Sequence, residues 1–376
     1  MIRRILALAL LALPLPALAQ DGEIVRSERA TFRLTTFATG LERPWGAALL
    51  PDGRLLVTER PGRLRVVGRD GAVSRPVEGV PQVEAASQGG LLDVALGPDF
   101  ETSREIFLCS ATLVQGGALT RLIRARLSED ASALEAVTPL LDATPAQSSG
   151  RQHYGCRIAF GPDGRLYLST GDRNVDRMRS QRLDDLAGKV LRVDREGRPQ
   201  RDNPFADRAG ARGEIFTYGH RNPQSLAFNP WTGSLWQAEH GPRGGDELNI
   251  IRPGANYGWP VVTHGVNYSG TTISEQKSAP GMEDPIRVWT PVISPSGIAF
   301  YDHAAFPGWQ RSLFIAALNS PGLVRLSTEG DRVTGEERLL FDRRIRMRNV
   351  LVGQDGAVLV LTDEAQGRIL RLAPAE

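Results

Sequence analysis

The chain predicts an all-β fold, a six-bladed β-propeller with four-stranded antiparallel blades, on three observations. One pattern recurs six times: an apolar approach, a turn rich in Pro, Asp and Gly, then a run of alternating apolar and polar residues. Further alternating runs follow most copies, so each copy opens a unit of several strands. No long stretch carries the apolar period of an amphipathic helix. Stacking such units radially protects every sheet edge, which an open sheet of this size could not do.

In chain order, residues 1–19 read as a cleaved export signal. Arg3-Arg4 supply charge, Ile5 to Pro16 is apolar, and Ala17-Leu18-Ala19 fits the small-residue cleavage pattern before Gln20. The apolar run is too short to span a bilayer, no later run reaches its length, and no Cys stands at the cleavage site to take a lipid. A soluble periplasmic or secreted protein with no membrane span is expected, with residues 20–376 as the single propeller domain, monomeric or homodimeric. The segment Thr31 to Thr36 has no hairpin partner nearby and is expected to complete the last blade, closing the ring.

The six copies centre on Pro51-Asp52-Gly53, Gly97-Pro98-Asp99, Gly161-Pro162-Asp163-Gly164, Asn229-Pro230, the approach Ile298-Ala299-Phe300, and Gln354-Asp355-Gly356. Each reads as a hairpin from its turn chemistry and period-two alternation. Runs at 63–67, 189–193 and 368–372 supply further strands. Asp52 to Asp99 is 47 residues, Asp99 to Asp163 is 64 and Asp163 to Pro230 is 67, so extra length is expected in loops on one face.

A net charge of +2 gives no basic field for nucleic acid. Cys109 and Cys156 are the only cysteines; in an oxidising compartment they either bridge or remain two buried thiols. Residues 184–190 lack the first Gly and the Ser/Thr of a phosphate loop, no Gly-x-Ser-x-Gly occurs, and the five histidines show no zinc spacing. Zinc and serine hydrolysis are disfavoured. The densest concentration of Gly, Pro, amides and acids is Tyr218 to Pro260, which marks a loop-built site. Equivalent loops of a propeller surround one end of its axis, so Ser87-Gln88, Arg151-Gln152-His153, Gly219-His220-Arg221-Asn222, Gly241-Pro242 and Arg346-Met347-Arg348 should converge there. That set suits an anionic ligand and a proton acceptor.

Three motifs carry a resemblance over nearly the whole chain after the signal: Gly219-His220-Arg221-Asn222-Pro223-Gln224, the run from Gly241 through Asp246-Glu247 to Asn256-Tyr257-Gly258-Trp259-Pro260, and Leu186-Ala187-Gly188-Lys189-Val190-Leu191-Arg192. The sequence resembles the soluble pyrroloquinoline quinone (PQQ) dependent sugar dehydrogenases, the glucose/sorbosone or aldose sugar dehydrogenase family. The resemblance implies a six-bladed propeller that oxidises aldoses at the anomeric carbon to lactones and passes electrons to an external acceptor. It makes His153 the general base and Arg221 the group that stabilises charge on the quinone, with Asn222 orienting it and Gln88 at the rim. Arg346 and Arg348 would bind cofactor carboxylates, and Asn319 stands where the family usually has a cofactor-binding lysine. The carbonyls of Gly241 and Pro242 would hold the cofactor's calcium, with a structural calcium at Glu247 and the Tyr257 carbonyl, Asp246 nearby. Gln152 and Asn349 stand where acids are common.

Read without the resemblance, Arg346 and Arg348 are a solvated strand face, and Trp259 and Trp289 are packing residues. The substitution at Asn319 also leaves a second class: a propeller without the cofactor, either a binding module or a calcium-dependent lactonase-like hydrolase.

Overall fold

The computed structural model describes residues 22–375, so the expected signal at 1–19 lies outside the described residues. The described chain forms six antiparallel sheets. Their innermost strands are Pro44–Leu49, Leu91–Leu96, Ile158–Phe160, Ala227–Phe228, Pro295–Tyr301 and Met347–Val352, one for each copy of the repeat. Four sheets have four strands; the first blade has three, extended by an isolated Val67–Val73 bridge, and the last has five.

The last blade closes the ring as expected. Thr31–Leu41 pairs antiparallel with Gly367–Pro374, in register at Phe32 with Pro374, Leu34 with Leu372 and Thr36 with Leu370. Glu23–Arg26 then adds a fifth strand.

The repeated turn has a local cause. Asp52, Asp163 and Asp355 each accept the N–H two residues on, at 3.0, 3.1 and 3.1 Å. The Gly that follows sits at φ +84°, +73° and +77°, where a side chain would be strained. The second strand of the blade is buried at every residue in Leu55–Glu59, Leu166–Thr170, Leu235–Glu239, Ser312–Ala317 and Val358–Thr362, because neighbouring blades cover both of its faces. The core therefore lies between blades. Trp45, Leu92, Phe107 and Leu168 belong to one such layer, and Phe32, Trp309, Phe314 and Val360 to another.

The extra length does not stay on one face. The insert 171–188 follows a second strand, whereas 194–214 and 252–286 follow third strands, which run the opposite way. The 252–286 insert then climbs back: Asn256 bridges Tyr218 in parallel, and Tyr257 and Trp259 N–H groups donate to Tyr218 and Gly219 at 2.9 Å. It thus reaches the end that the sequence assigned to the site.

The cysteine question resolves to a bridge. Cys109, in the second blade, is bonded to Cys156 at the entry to the third, with Cα atoms 5.6 Å apart and both residues fully buried. Closing a loop of this length stabilises by roughly 4 kcal/mol through the unfolded state. A Cys109→Ala/Cys156→Ala variant is expected to lose about 2–5 kcal/mol in denaturant unfolding; a loss below about 1 kcal/mol would contradict this. No helix among the described residues is long and apolar enough to cross a membrane.

Candidate active site

In four blades a buried acid ends the second strand or follows it within two residues, at the same end of the axis: Glu59, Asp172, Glu239 and Asp363. Each carboxylate organises the loop beside it. Glu239 accepts from His220 Nδ1 at 2.9 Å and from the N–H groups of Arg221 and Asn222 at 2.6 and 3.2 Å, fixing the turn that carries both side chains.

Asp172 does the same for His153. One oxygen lies 2.7 Å from His153 Nδ1 and accepts the Asn174 N–H at 2.8 Å; the other accepts Trp259 Nε1–H at 2.7 Å. His153 is held at φ +49°, and its N–H donates to Gln88 Oε1 at 2.8 Å. A non-glycine residue in the left-handed region at a site of convergent polar groups fits a functional constraint. With Nδ1–H pointed at the carboxylate, neutral His153 keeps a lone pair on Nε2, which meets no protein partner among the described residues. Burial, then the Arg221 charge, push its pKa below the usual imidazole value, and Asp172 pulls the other way without winning. The balance favours the neutral form of His153. Burial disfavours the Asp172 charge, but His153 and Arg221 outweigh that and keep its carboxyl below the ordinary range.

Arg221 is buried, with Nη1 donating to the carbonyls of His240 and Gly241 at 3.0 and 2.7 Å. Its Nε is buried without a partner, and its guanidinium lies 5.3 Å from the Trp259 ring. Asn222 Oδ1 accepts from the Gly155 N–H and Gln224 Nε2, both at 3.2 Å.

Beside these groups opens a cleft of ≈ 540 Å³ whose walls include Gln88, Asn222, Arg346 and Arg348. Its chemistry is one-sided, with Arg43, Arg60, Arg346 and Arg348 against the single acid Asp363. Asp363 lies 2.8 Å from Arg346 Nη2 and 3.2 Å from Arg348 Nη2. Arg348 is buried with its Nε unpartnered, so it is not a solvated face residue. The donor set fits a polycarboxylate: several guanidiniums, neutral amides and a volume in the range of a small-molecule site. A slightly larger cleft of ≈ 600 Å³ opens among the hairpin turns of the first and last blades, with Arg69 and Arg371 offset by Asp70 and Asp355. Its balanced charge gives no comparable chemistry.

Gly241, Glu247 and Tyr257 line a second, much smaller cavity with Glu239 and Thr263. The Glu247 carboxyl is pushed well up by burial and then by the Glu239 charge. No group of three or more His, Cys, Asp or Glu side chains forms among the described residues, so a cation here would draw on main-chain oxygens as well. The carboxylate and carbonyl oxygens of this cavity, which Arg221 and His240 also line, are the donor type a hard cation takes. The Asp246 carboxylate instead accepts the N–H groups of Gly241 and Ser294 at 2.8 and 2.6 Å, which pins the Gly241-Pro242 loop. Tyr257 spends its hydroxyl on Ile250 O and Arg252 N–H at 2.6 and 2.9 Å, leaving only its carbonyl for a metal.

Asn319 is exposed, and its Oδ1 accepts only the adjacent Ser320 N–H at 3.2 Å. It does not line the cleft. Asp172, Asp363, Arg43, Arg60 and Tyr268 were not singled out from the sequence. The acids had a usable signal, since Thr58-Glu59, Gly171-Asp172, Ala238-Glu239 and Thr362-Asp363 stand at or just past the end of the same strand in four of the six repeats. Trp259 was read as packing, yet its indole N–H also fixes Asp172.

Comparison with known proteins gives the family and supports the fold. The profile of the family described as glucose/sorbosone dehydrogenase matches residues 41–371. The chain is 44% identical over 349 residues to the aldose sugar dehydrogenase YliI of Escherichia coli (strain K12), covering 92% of this chain and 94% of that protein. A crystal structure of a glucose dehydrogenase superposes with a TM-score of 0.88 at 47% identity, over 91% of this chain and 99% of the other. The PQQ-bound form of the aldose sugar dehydrogenase from Streptomyces coelicolor superposes with a TM-score of 0.76 at 31% identity, over 95% and 99%.

Proposed function

Since the chain belongs to the glucose/sorbosone dehydrogenase family, we propose that it is a PQQ-dependent aldose sugar dehydrogenase, oxidising aldoses at the anomeric carbon to lactones and passing the electrons to an external acceptor. The observation that carries this reading is the buried His153–Asp172 pair, 2.7 Å apart, set beside an arginine-rich cleft. When bound, PQQ would supply the hydride acceptor and calcium the Lewis acid that polarises it.

The chain's own groups do the rest. His153 Nε2 takes the proton of the anomeric hydroxyl, and Asp172 stabilises the imidazolium that results. Trp259 and the Asn174 N–H hold Asp172 in place, so the base cannot rotate away. Arg221 keeps a positive charge at the reacting end of the cleft, and Arg346 and Arg348, oriented by Asp363, bind carboxylates. Gln88 fixes the His153 main chain and offers its amide N–H₂ toward the cleft. Gly241 and Pro242 carbonyls would hold the cofactor's calcium, and Glu247 with the Tyr257 carbonyl a structural one. Residues 1–19 would direct export to the periplasm or beyond.

Reconstitution tests the reading. Protein incubated with PQQ and calcium should show a bound-quinone spectrum and aldose-dependent dye reduction, and a chelator present during reconstitution should abolish turnover. Neither a spectrum nor sugar-dependent reduction would sink it.

A further inference from the structure

We propose that Arg43 and Arg60, which lie outside all three motifs that carry the family resemblance, form an additional carboxylate-binding pair for the cofactor. This rests on the PQQ reading above. Arg43 immediately precedes the first strand of the first blade and Arg60 immediately follows its second, and the Arg60 N–H donates to Arg43 O at 3.1 Å. The two therefore project from one rigid blade end. Arg43 is held there at φ +46°, a conformation that an arginine adopts at a cost.

Both side chains line the same cleft as the sequence-predicted pair Arg346 and Arg348. Neither guanidinium has a hydrogen bond or ion pair with any described residue, whereas Arg346 and Arg348 share Asp363. Four guanidiniums thus face one carboxylate. The Arg60 pKa is lowered, by burial first and then by Arg348, which marks a cleft short of negative charge; a guanidinium nonetheless stays protonated there. The buried Nε of Arg348 adds a donor without an acceptor in the same wall. Unpaired cations confined together destabilise the empty fold and are relieved by an anion with several carboxylates, which guanidiniums bind two oxygens at a time.

The pair also accounts for Asn319. The sequence puts Asn319 where the family usually has a cofactor lysine, and the structure leaves it exposed outside the cleft. The charge missing from that blade is supplied from the first one.

The test is a tryptophan-fluorescence titration of the purified protein with PQQ in the presence of calcium, comparing the parent with Arg43→Gln, Arg60→Gln and the double variant. Each single change should weaken binding about 10- to 100-fold, the loss of a hydrogen bond to a charged group. Arg60→Lys should recover part of it, and the PQQ trimethyl ester should bind weakly and equally to all. Without ligand, the Gln variants should melt at or above the parent temperature, since like charge has been removed. If the parent does not bind PQQ, the functional reading fails. If the parent binds and the Gln variants bind as tightly, or if they discriminate the ester as the parent does, the assignment of Arg43 and Arg60 is overturned.

Discussion

His153→Ala is expected to bind PQQ as the parent does and to lose roughly 10²- to 10⁴-fold in kcat, the usual contribution of a positioned general base. The side chain meets Asp172 through Nδ1 and has no other protein partner among the described residues, so its removal takes away a proton acceptor and little else. Dye reduction at saturating sugar measures the loss, and fluorescence titration checks that the cofactor still binds. Added imidazole should restore part of the rate by filling the vacated space. A kcat within a few fold of the parent would remove His153 from the role of base.

Asp172→Asn should cost nearly as much while moving the pH profile in a defined direction. An amide can face Nδ1 with its N–H₂, which would place the imidazole proton on Nε2 and abolish the lone pair; losses on the order of 10²- to 10⁴-fold follow from such a tautomer error. Activity requires neutral His153, so the rate rises as pH climbs through its pKa. Asp172 raises that pKa against the lowering by burial and Arg221. Without the carboxylate the pKa falls further, and the acid limb of kcat should shift to lower pH while the plateau drops and KM changes little. An acid limb that stays put or moves to higher pH would show that Asp172 does not govern the base.

Much of the fold was legible because its information is local. Three Asp-Gly turns declare themselves through the carboxylate that accepts the N–H two residues on and the glycine at positive φ, and with three further apolar approaches they imply six blades. The closing role of Thr31–Leu41 holds through its pairing with Gly367–Pro374, although the strand also has a nearby hairpin partner, Glu23–Arg26, that its sequence did not announce. The site was legible only in part. Motif residues such as His153, Arg221 and Arg348 sit where a ring should bring them, but their meaning depends on partners from other elements. Asp172 reaches His153 from across a strand, and Trp259 arrives on an insert that starts at the opposite end of its blade. Sequence spacing cannot encode that climb, nor whether a guanidinium such as Arg60 finds an acid. Cys109 and Cys156 stood open for the same reason, because pairing depends on how two blades face each other.

The seam of the ring has one more consequence. Phe32 and Pro374 are paired neighbours in a single sheet, although more than three hundred residues separate them along the chain. A ribosome delivers the first of these partners more than three hundred residues before the second. Until then the strand Thr31–Leu41 has only the short Glu23–Arg26 strand to pair with, and the layer that buries Phe32 against Trp309 lacks a wall. The final shape of this molecule thus waits on residues 367–374, and the cleft whose arginines come from the first and last blades comes into being only with the act of closure.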